Sequence, residues 1–300
     1  MSSVTNYQRA YTFSKNLNYG VDEWYLTPKY DGIRCWYDSE TEKLYFRSGR
    51  EVIRMNHILN ACKEISDRHS LKMVDGELYV PGLKFREISS LVNAQKSITD
   101  EQKQTVKLVV FAVRRKPTFE WTTEWTTPAM IDVLKAINYP ENVLLPVEYE
   151  LIQNDWDVIE KRVREMQSLG WEGGILRNPN ISYIEGGTRT LLKLKFPNEA
   201  DFKIIDFTEG TKSYSGTLGA LWVEGMALDE DRNEILVRSK VSSGLSRDLR
   251  REIWGDRSTY LGVGVRLTYQ KATPVDEDGY GSLRFPRFQH LMQNCEFIKL

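Results

Sequence analysis

The sequence lacks any apolar run long enough to cross a membrane, and the segment from Met1 to Gly20 is polar. A spanning helix needs about 20 consecutive apolar residues, and a secretory leader needs an apolar core near its start. We therefore expect a protein that does not associate with membranes and stays in the cytoplasm.

Cysteine and histidine are scarce, with three residues of each in the chain. The cysteines, Cys35, Cys62 and Cys295, are far apart, form no CxxC pair and have no histidines clustered with them. A structural zinc site needs four such ligands at characteristic spacings. We expect no structural zinc.

Charge of one sign is not in excess, because the net charge is only -1. Such a chain has no overall attraction to nucleic acid, so any DNA-binding surface must be a local basic patch. The 300 residues, of which 41% are hydrophobic, suit a globular protein of two domains.

Periodic apolar residues predict strands and helices in the first two-thirds of the chain. Residues 25–47 read as an antiparallel meander of three strands, and apolar residues between Met55 and Ile65 recur at helical spacing. A second helix should begin with Thr127 as its N-cap. A third should follow Asp155, end at Gly170 and bury one row of residues, namely Val158, Ile159, Val163, Met166 and Leu169.

A polar break at residues 197–201 separates this part from a last third of a different texture. Short alternating strands and one helical stretch, SRDLRREIW, fit a small closed barrel. The sequence therefore predicts domains at residues 1–198 and 199–300.

The string KYDGIR carries Lys29 on a turn between strands and Arg34 five positions later. A second cation lowers the pKa of a lysine, and the two cations together can bind a phosphate. This arrangement is typical of an amine that attacks phosphorus. The alternative is a hairpin whose turn carries solvated charges.

Three further strings place polar or aromatic groups on strands. Arg47 and Arg50 in FRSGR suit a phosphate or a carboxylate, and Glu77 in DGEL could accept a hydrogen bond from a ribose hydroxyl. Phe111 in LVVFAV could stack on a base. Solvated charges and a core phenylalanine remain the alternatives.

The strings WEGGILR and LLKLK complete the set. Two glycines after Glu172 allow the backbone to approach a ligand, and the carboxylate suits a cation. Lys193 and Lys195 lie two residues apart on a strand, so both amines share one face. An ordinary turn and a surface lysine pair remain the alternatives.

In this order and spacing, these strings resemble the nucleotidyltransferase motifs of ATP-dependent DNA ligases, close to the small viral and phage type. The resemblance runs from about Tyr25 to Phe196 and resumes at GTLGALWVE, VSSGLSRDLRREIW and LRFPRF. It implies an α+β fold, in which a nucleotidyltransferase domain with ATP-grasp-like antiparallel sheets and helices precedes a β-barrel OB-fold domain.

By this resemblance, Lys29 would attack the α-phosphorus of ATP and form a covalent lysyl-AMP. Arg34 and Arg47 would steady phosphates, and Glu77 would hold the ribose. Phe111 would stack on adenine, and Thr27 would also contact the nucleotide. The remaining implied roles belong to Glu172 for Mg²⁺, with Mn²⁺ as a substitute, to Lys193 and Lys195 for the α-phosphate, and to Arg284 for the leaving pyrophosphate.

The implied partner is nicked duplex DNA, bound by a monomer in the cytoplasm of a bacterial or virus-infected cell. Arg50, Arg238 and Lys240 are expected to contact DNA phosphates. Further candidates are Arg114, Arg115, Lys116, Arg247, Arg250 and Arg251.

The chain departs from the family pattern at several places. Ala112 follows Phe111 where an aspartate is common, and Gln289, His290 and Met292 replace a second run of arginines. The span from Phe207 to Leu218 leaves little room for a long DNA-encircling hairpin, and no N-terminal DNA-binding domain is expected. Encirclement of the duplex is therefore not implied.

Two other functions fit parts of the same pattern. An RNA ligase or a GTP-using capping enzyme shares the lysine chemistry, although the barrel with RFPRF favours the DNA ligase. A nucleic-acid-binding module without catalysis would be marked by loss of the lysine, and Lys29 is present.

Overall fold

The computed structural model describes residues 7–94, 98–116, 126–181 and 183–292. The chain divides into two compact units, residues 1–196 and residues 197–300. The boundary expected from the sequence lies after Asn198, and the function assigned to each domain stays a prediction. Mixed helices and largely antiparallel sheets confirm the α+β class.

The first unit contains two five-stranded sheets and five helices over its described residues. Its strands are β1 (Gln8–Thr12), β2 (Glu23–Lys29), β3 (Ile33–Asp38), β4 (Lys43–Phe46), β5 (Leu71–Tyr79), β6 (Lys107–Arg115), β7 (Leu144–Pro146), β8 (Glu150–Gln153), β9 (Gly173–Arg177) and β10 (Gly186–Leu194). Its helices are α1 (Asn56–His69), α2 (Phe85–Asn93), α3 (Asp100–Gln104), α4 (Thr127–Ala136) and α5 (Trp156–Ser168).

The strand order is β1-β10-β9-β2-β8 in sheet A and β4-β3-β5-β6-β7 in sheet B. The meander predicted for residues 25–47 is therefore wrong, because β2 pairs with β8 and β9 while β3 and β4 belong to sheet B. The turn after Lys29 carries the chain from one sheet to the other. Gly32 is required there, since a Cβ would collide with the Leu78 carbonyl oxygen.

The predicted helices are confirmed, with corrections to their details. Thr126 rather than Thr127 caps α4, and its hydroxyl accepts a hydrogen bond from the Ala129 amide. Asp155 caps α5 as expected, but Val158 and Leu169 are exposed. Val158 lies about 100° around the helix from the buried row that begins at Ile159, and Leu169 follows the last helical residue.

The second unit is a five-stranded sheet with two α-helices and one turn of 3-10 helix (Lys212–Tyr214) over its described residues. Its elements are β11 (Asn198–Glu209), β12 (Leu218–Leu228), β13 (Glu234–Val241), α6 (Arg247–Gly255), α7 (Arg257–Tyr260), β14 (Gly264–Tyr269) and β15 (Arg287–Leu291). The strand order is β13-β12-β11-β14-β15.

The two edges of this sheet meet where the chain leaves β13. Ser243 forms a parallel bridge with Arg287, and its carbonyl oxygen accepts the Phe288 amide at 2.9 Å. Gly244 allows this approach, because a Cβ there would collide with the Phe288 carbonyl oxygen. An edge-to-edge contact of this kind is expected of a small barrel, and the OB-fold assignment stays a prediction.

Two expected absences concern membranes and zinc. Within the described residues, no helix is long and apolar enough to cross a membrane. Cys35 and Cys62 are buried free thiols, while Cys295 lies outside the described residues. The expectation of no structural zinc therefore stays a prediction.

Arg250 is a structural residue of the second unit, so its proposed contact with DNA is wrong. Its side chain is 6% exposed, and its guanidinium donates hydrogen bonds to the carbonyl oxygens of Leu218 and Gly219 at 2.8 and 2.7 Å. It also donates a hydrogen bond to the Ser242 carbonyl oxygen, which ties α6 to the segment that follows β13.

Replacing Arg250 by methionine should destabilise the second unit by about 3 kcal/mol, because several buried carbonyl groups lose their donor. Native-state hydrogen exchange of the β12 and β13 amides measures this change. Arg251→Met is the control, since Arg251 is exposed, and should cost less than about 0.5 kcal/mol. Equal protection in both variants would contradict the structural role.

Candidate active site

A cavity of about 440 Å³ in the first unit is lined by strands of both sheets. It brings together nine of the residues predicted from the sequence. They are Thr27, Lys29, Arg34, Arg47, Glu77, Phe111, Glu172, Lys193 and Lys195. Seven cations and two carboxylates line this cavity, so it suits an anionic ligand.

The pairing of β2, β9 and β10 explains how residues distant in sequence come together in the cavity. Lys29 on β2 lies opposite Gly173 on β9, and Thr27 lies opposite Ile175. Ile175 in turn lies opposite Lys193 on β10. Because side chains two residues apart share a face of the sheet, Thr27, Lys29 and Lys193 project to the same side.

Lys29 forms an ion pair with Glu172. The Glu172 carboxylate also accepts a hydrogen bond from Lys195 at 3.4 Å, and the Glu172 amide donates to the Lys29 carbonyl oxygen at 3.0 Å. The side chains of Lys29 and Glu172 are 27% and 21% exposed, so a ligand can reach both. The Lys29 amine thus faces a carboxylate that also contacts a second lysine.

Arg34 is held by a carboxylate that the sequence analysis did not single out. Its Nε donates to Asp75 at 2.6 Å, and Tyr183 donates a second hydrogen bond to the same fully buried carboxylate. The guanidinium lies 4.3 Å from the centre of the Phe111 ring. Arg34 therefore lines the cavity with its charge already balanced, and its role as a phosphate ligand stays a prediction.

Glu77 faces the cavity from β5. Burial raises the pKa of its carboxyl to about 7, against the opposing influence of Arg34 and Lys29. With this pKa the carboxyl is partly ionised near neutral pH. The ionised form accepts a hydrogen bond from a hydroxyl more strongly than the neutral form does. This position suits the predicted contact with a ribose.

The other predicted residues lie outside this cavity. Arg50 donates to the Asn93 side chain at 2.6 Å and stacks on Phe46, so it is not free of protein contacts. In the second unit, Arg238 is held by Glu224 and Tyr280 at 2.6 and 2.8 Å. Their proposed contacts with DNA phosphates stay predictions.

Lys240 and Arg284 also belong to the second unit. Lys240 lies 4.8 Å from the centre of the Trp222 ring, and Arg284 lies 5.3 Å from that of Phe285. Arg284 and Phe285 are exposed, and Phe285 adopts a left-handed backbone with φ of 53°. An exposed cation beside a strained aromatic residue is available to a ligand.

Several residues that line the cavity were not predicted from the sequence. Gln8 and Arg9 lie on β1, where the sequence shows none of the motif strings. Tyr149 immediately precedes the short strand β8. Arg177 is the last residue of the string WEGGILR, so a signal for it was present. Asp75 likewise lies two residues before Glu77 in DGEL.

A family model described as ATP dependent DNA ligase domain matches residues 8–195. The chain is 23% identical over 206 residues to a DNA ligase of Haemophilus influenzae, an alignment that covers 68% of this chain and 69% of that relative. It is 26% identical over 161 residues to DNA ligase 2 of Methanosarcina mazei, covering 48% of this chain and 28% of that one.

Solved structures show a similar fold. The chain matches the ATP-dependent DNA ligase of bacteriophage T7 in complex with ATP with 21% identity and a TM-score of 0.52, covering 96% of this chain and 98% of that one. It matches a structure named Pmar-Lig_PreS3 with 22% identity and a TM-score of 0.62, covering 96% and 68%. Both matches extend across both units of the chain.

The raised pKa of Glu77 predicts how stability depends on pH. The carboxyl titrates near 7 in the folded state but near its ordinary value of 4.5 when unfolded, so the folded state binds more protons between these values. The wild type should therefore lose stability as the pH rises from about 5 to about 8. Glu77→Gln removes this titration, so the melting temperature of the variant should rise relative to wild type over that range.

Melting temperatures of wild type, Glu77→Gln and the exposed control Glu141→Gln, each measured at both pH values, test this expectation. The control should keep a constant difference from wild type. A constant difference for Glu77→Gln as well would show that its carboxyl does not titrate in this range.

Proposed function

The chain belongs to the ATP-dependent DNA ligase family, and from this we propose that it seals nicks with a 3'-hydroxyl and a 5'-phosphate through a lysyl-AMP on Lys29. The observation that carries the assignment of the nucleophile is the Lys29–Glu172–Lys195 cluster at one end of the cavity. A nucleophilic amine, a carboxylate and a second cation are the groups that phosphoryl transfer to lysine requires.

The first step joins AMP to the enzyme. The Lys29 amine loses its proton to solvent and attacks the α-phosphorus of ATP. A P–N bond forms as the bond to pyrophosphate breaks. Lys193 on β10 and Lys195, which follows the last residue of that strand rather than lying on it as predicted, both line the cavity. Both would stabilise the charge that develops on the α-phosphate oxygens.

Glu172 is the residue that we expect to hold Mg²⁺. Its carboxylate faces the cavity, and the described residues contain no cluster of three or more metal-ligating side chains. Magnesium in phosphoryl-transfer sites is commonly bound by one or two carboxylates together with substrate phosphates, so the site fits. The bound metal would neutralise phosphate charge.

Two further steps close the nick. AMP passes from Lys29 to the 5'-phosphate of the break as the P–N bond is cleaved and a pyrophosphate link forms. The neighbouring 3'-hydroxyl then attacks the 5'-phosphorus, and AMP leaves. Arg47 lines the cavity and is exposed, so it is available to bind the 5'-phosphate.

We also propose an oligomeric state, a cellular location and a set of DNA contacts for the enzyme. We expect it to act as a monomer in the cytoplasm, with DNA phosphates contacted by Arg50, Arg238 and Lys240. Binding through such contacts weakens as salt concentration rises, because it depends on counterion release.

Sealing of a nicked DNA duplex, followed by denaturing electrophoresis, tests the proposed function. With ATP and Mg²⁺ the wild type should join the strands, whereas Lys29→Ala should give no product because the nucleophile is missing. Lys161→Ala, which changes an exposed lysine on α5, is the matched control and should seal normally. Reactions without Mg²⁺ should also give no product.

The same reaction on an RNA duplex with an identical nick distinguishes the alternative ligase. Joining of RNA but not DNA would contradict the proposed substrate while keeping the lysine chemistry. Equal activity of Lys29→Ala and wild type would contradict the mechanism itself.

A further inference from the structure

Arg177 is a buried cation at the other end of the cavity from the Lys29 cluster. It is the last residue of β9, its side chain is 5% exposed, and it lines the cavity. Gly173, four residues earlier on the strand, pairs with Lys29. Four residues of extended strand span about 13 Å, so the two cations serve different parts of a ligand.

The partners of Arg177 are neutral. Its Nη1 donates to the side-chain oxygen of Gln8, and burial raises the pKa of the neighbouring Tyr149 hydroxyl while the charge of Arg177 acts to lower it. Over the described ranges of the chain, its Nε is buried without a hydrogen-bond partner and no carboxylate forms an ion pair with it. A buried charge without a counter-charge is costly, and buried polar groups nearly always have partners.

Arg34 provides the contrast within the same cavity. The fold supplies its guanidinium with a buried carboxylate, Asp75. At the corresponding place beside Arg177 the chain has Gln8, whose side chain is 1% exposed and also donates to Thr190 at 3.2 Å. The described residues thus provide a carboxylate as counter-charge for Arg34 but none for Arg177, whose Nε has no hydrogen-bond partner.

The surroundings of Arg177 suit a base more than a phosphate. The Tyr149 hydroxyl that it contacts also donates to the main-chain oxygen of Phe111, the residue expected to stack on adenine. Lys29, Lys193 and Lys195 already supply cations for the α-phosphate at the other end. A nucleotide with its phosphates at Lys29 therefore directs its base toward Phe111 and Arg177.

We propose that Arg177 donates a hydrogen bond to a ring nitrogen of the purine base and so recognises the nucleotide. A guanidinium offers only donors, and the ring nitrogens of adenine at positions 1, 3 and 7 are acceptors. This inference rests on the proposed function, since it takes the nucleotide to lie as lysine adenylation requires. Arg177 is thereby a base-binding residue in addition to the predicted set.

Lysyl-AMP formation with ATP and with its 1-deaza, 3-deaza and 7-deaza analogues tests the proposal, because each analogue lacks one acceptor. In the wild type, one analogue should lower the second-order rate constant of adduct formation roughly 10- to 100-fold, the value expected for a hydrogen bond from a charged donor. Arg177→Leu should show a similar loss with ATP and no further loss with that analogue. Arg189→Leu, an exposed arginine on β10, is the control and should behave as wild type.

Two results would overturn the proposal. One is a wild type that uses all three analogues as well as ATP, a measurement that needs no variant. The other is that Arg177→Leu lowers the rate with ATP and every analogue lowers it further, by the same factor as in the wild type. Arg177→Lys replaces Arg177→Leu in this comparison if the leucine variant does not fold. A wild type that forms no lysyl adduct with ATP would instead contradict the proposed function.

Discussion

The ion pair between Lys29 and Glu172 is the contact on which the site depends, because it joins the end of β2 to the residue before β9. Sheet A pairs these strands so that Lys29 lies opposite Gly173, and β10 adds Lys193 on the same face. Glu172 also bonds Lys195. One carboxylate therefore contacts two amines, and the sheet register sets where Lys29, the proposed nucleophile, lies relative to the other residues of the cavity.

Charge is distributed unevenly around this cavity. Asp75 balances Arg34, and Glu172 balances Lys29, but Arg177 contacts only neutral groups among the described residues. Such a cavity concentrates anionic substrates and favours groups in which negative charge develops during reaction. The net charge of the whole chain is only -1, but cations outnumber carboxylates within the cavity. The cavity therefore suits a nucleoside triphosphate.

Local strings predicted the identities of nine cavity residues, because each string combines a chemical group with a turn or strand that positions it. Helix caps and apolar periodicity likewise predicted α1 and α5. Long-range pairing could not be predicted in this way. The sequence does not show that β2 leaves the apparent meander for sheet A, or that Arg34 reaches Asp75 across the β3–β5 pair. The sequence also does not distinguish Arg250 from an exposed basic residue on a helix, whereas the structure buries it against β12.

Mapping the site of AMP attachment on the wild-type protein is the most direct test of Lys29 as the nucleophile. The wild type is incubated with ATP and Mg²⁺, digested under conditions that preserve the P–N bond, and mapped by tandem mass spectrometry. If Lys29 is the nucleophile, AMP should be found on the peptide that contains Lys29 and on no peptide that contains Lys193 or Lys195. AMP on either of those lysines, or the absence of any adduct, would contradict it.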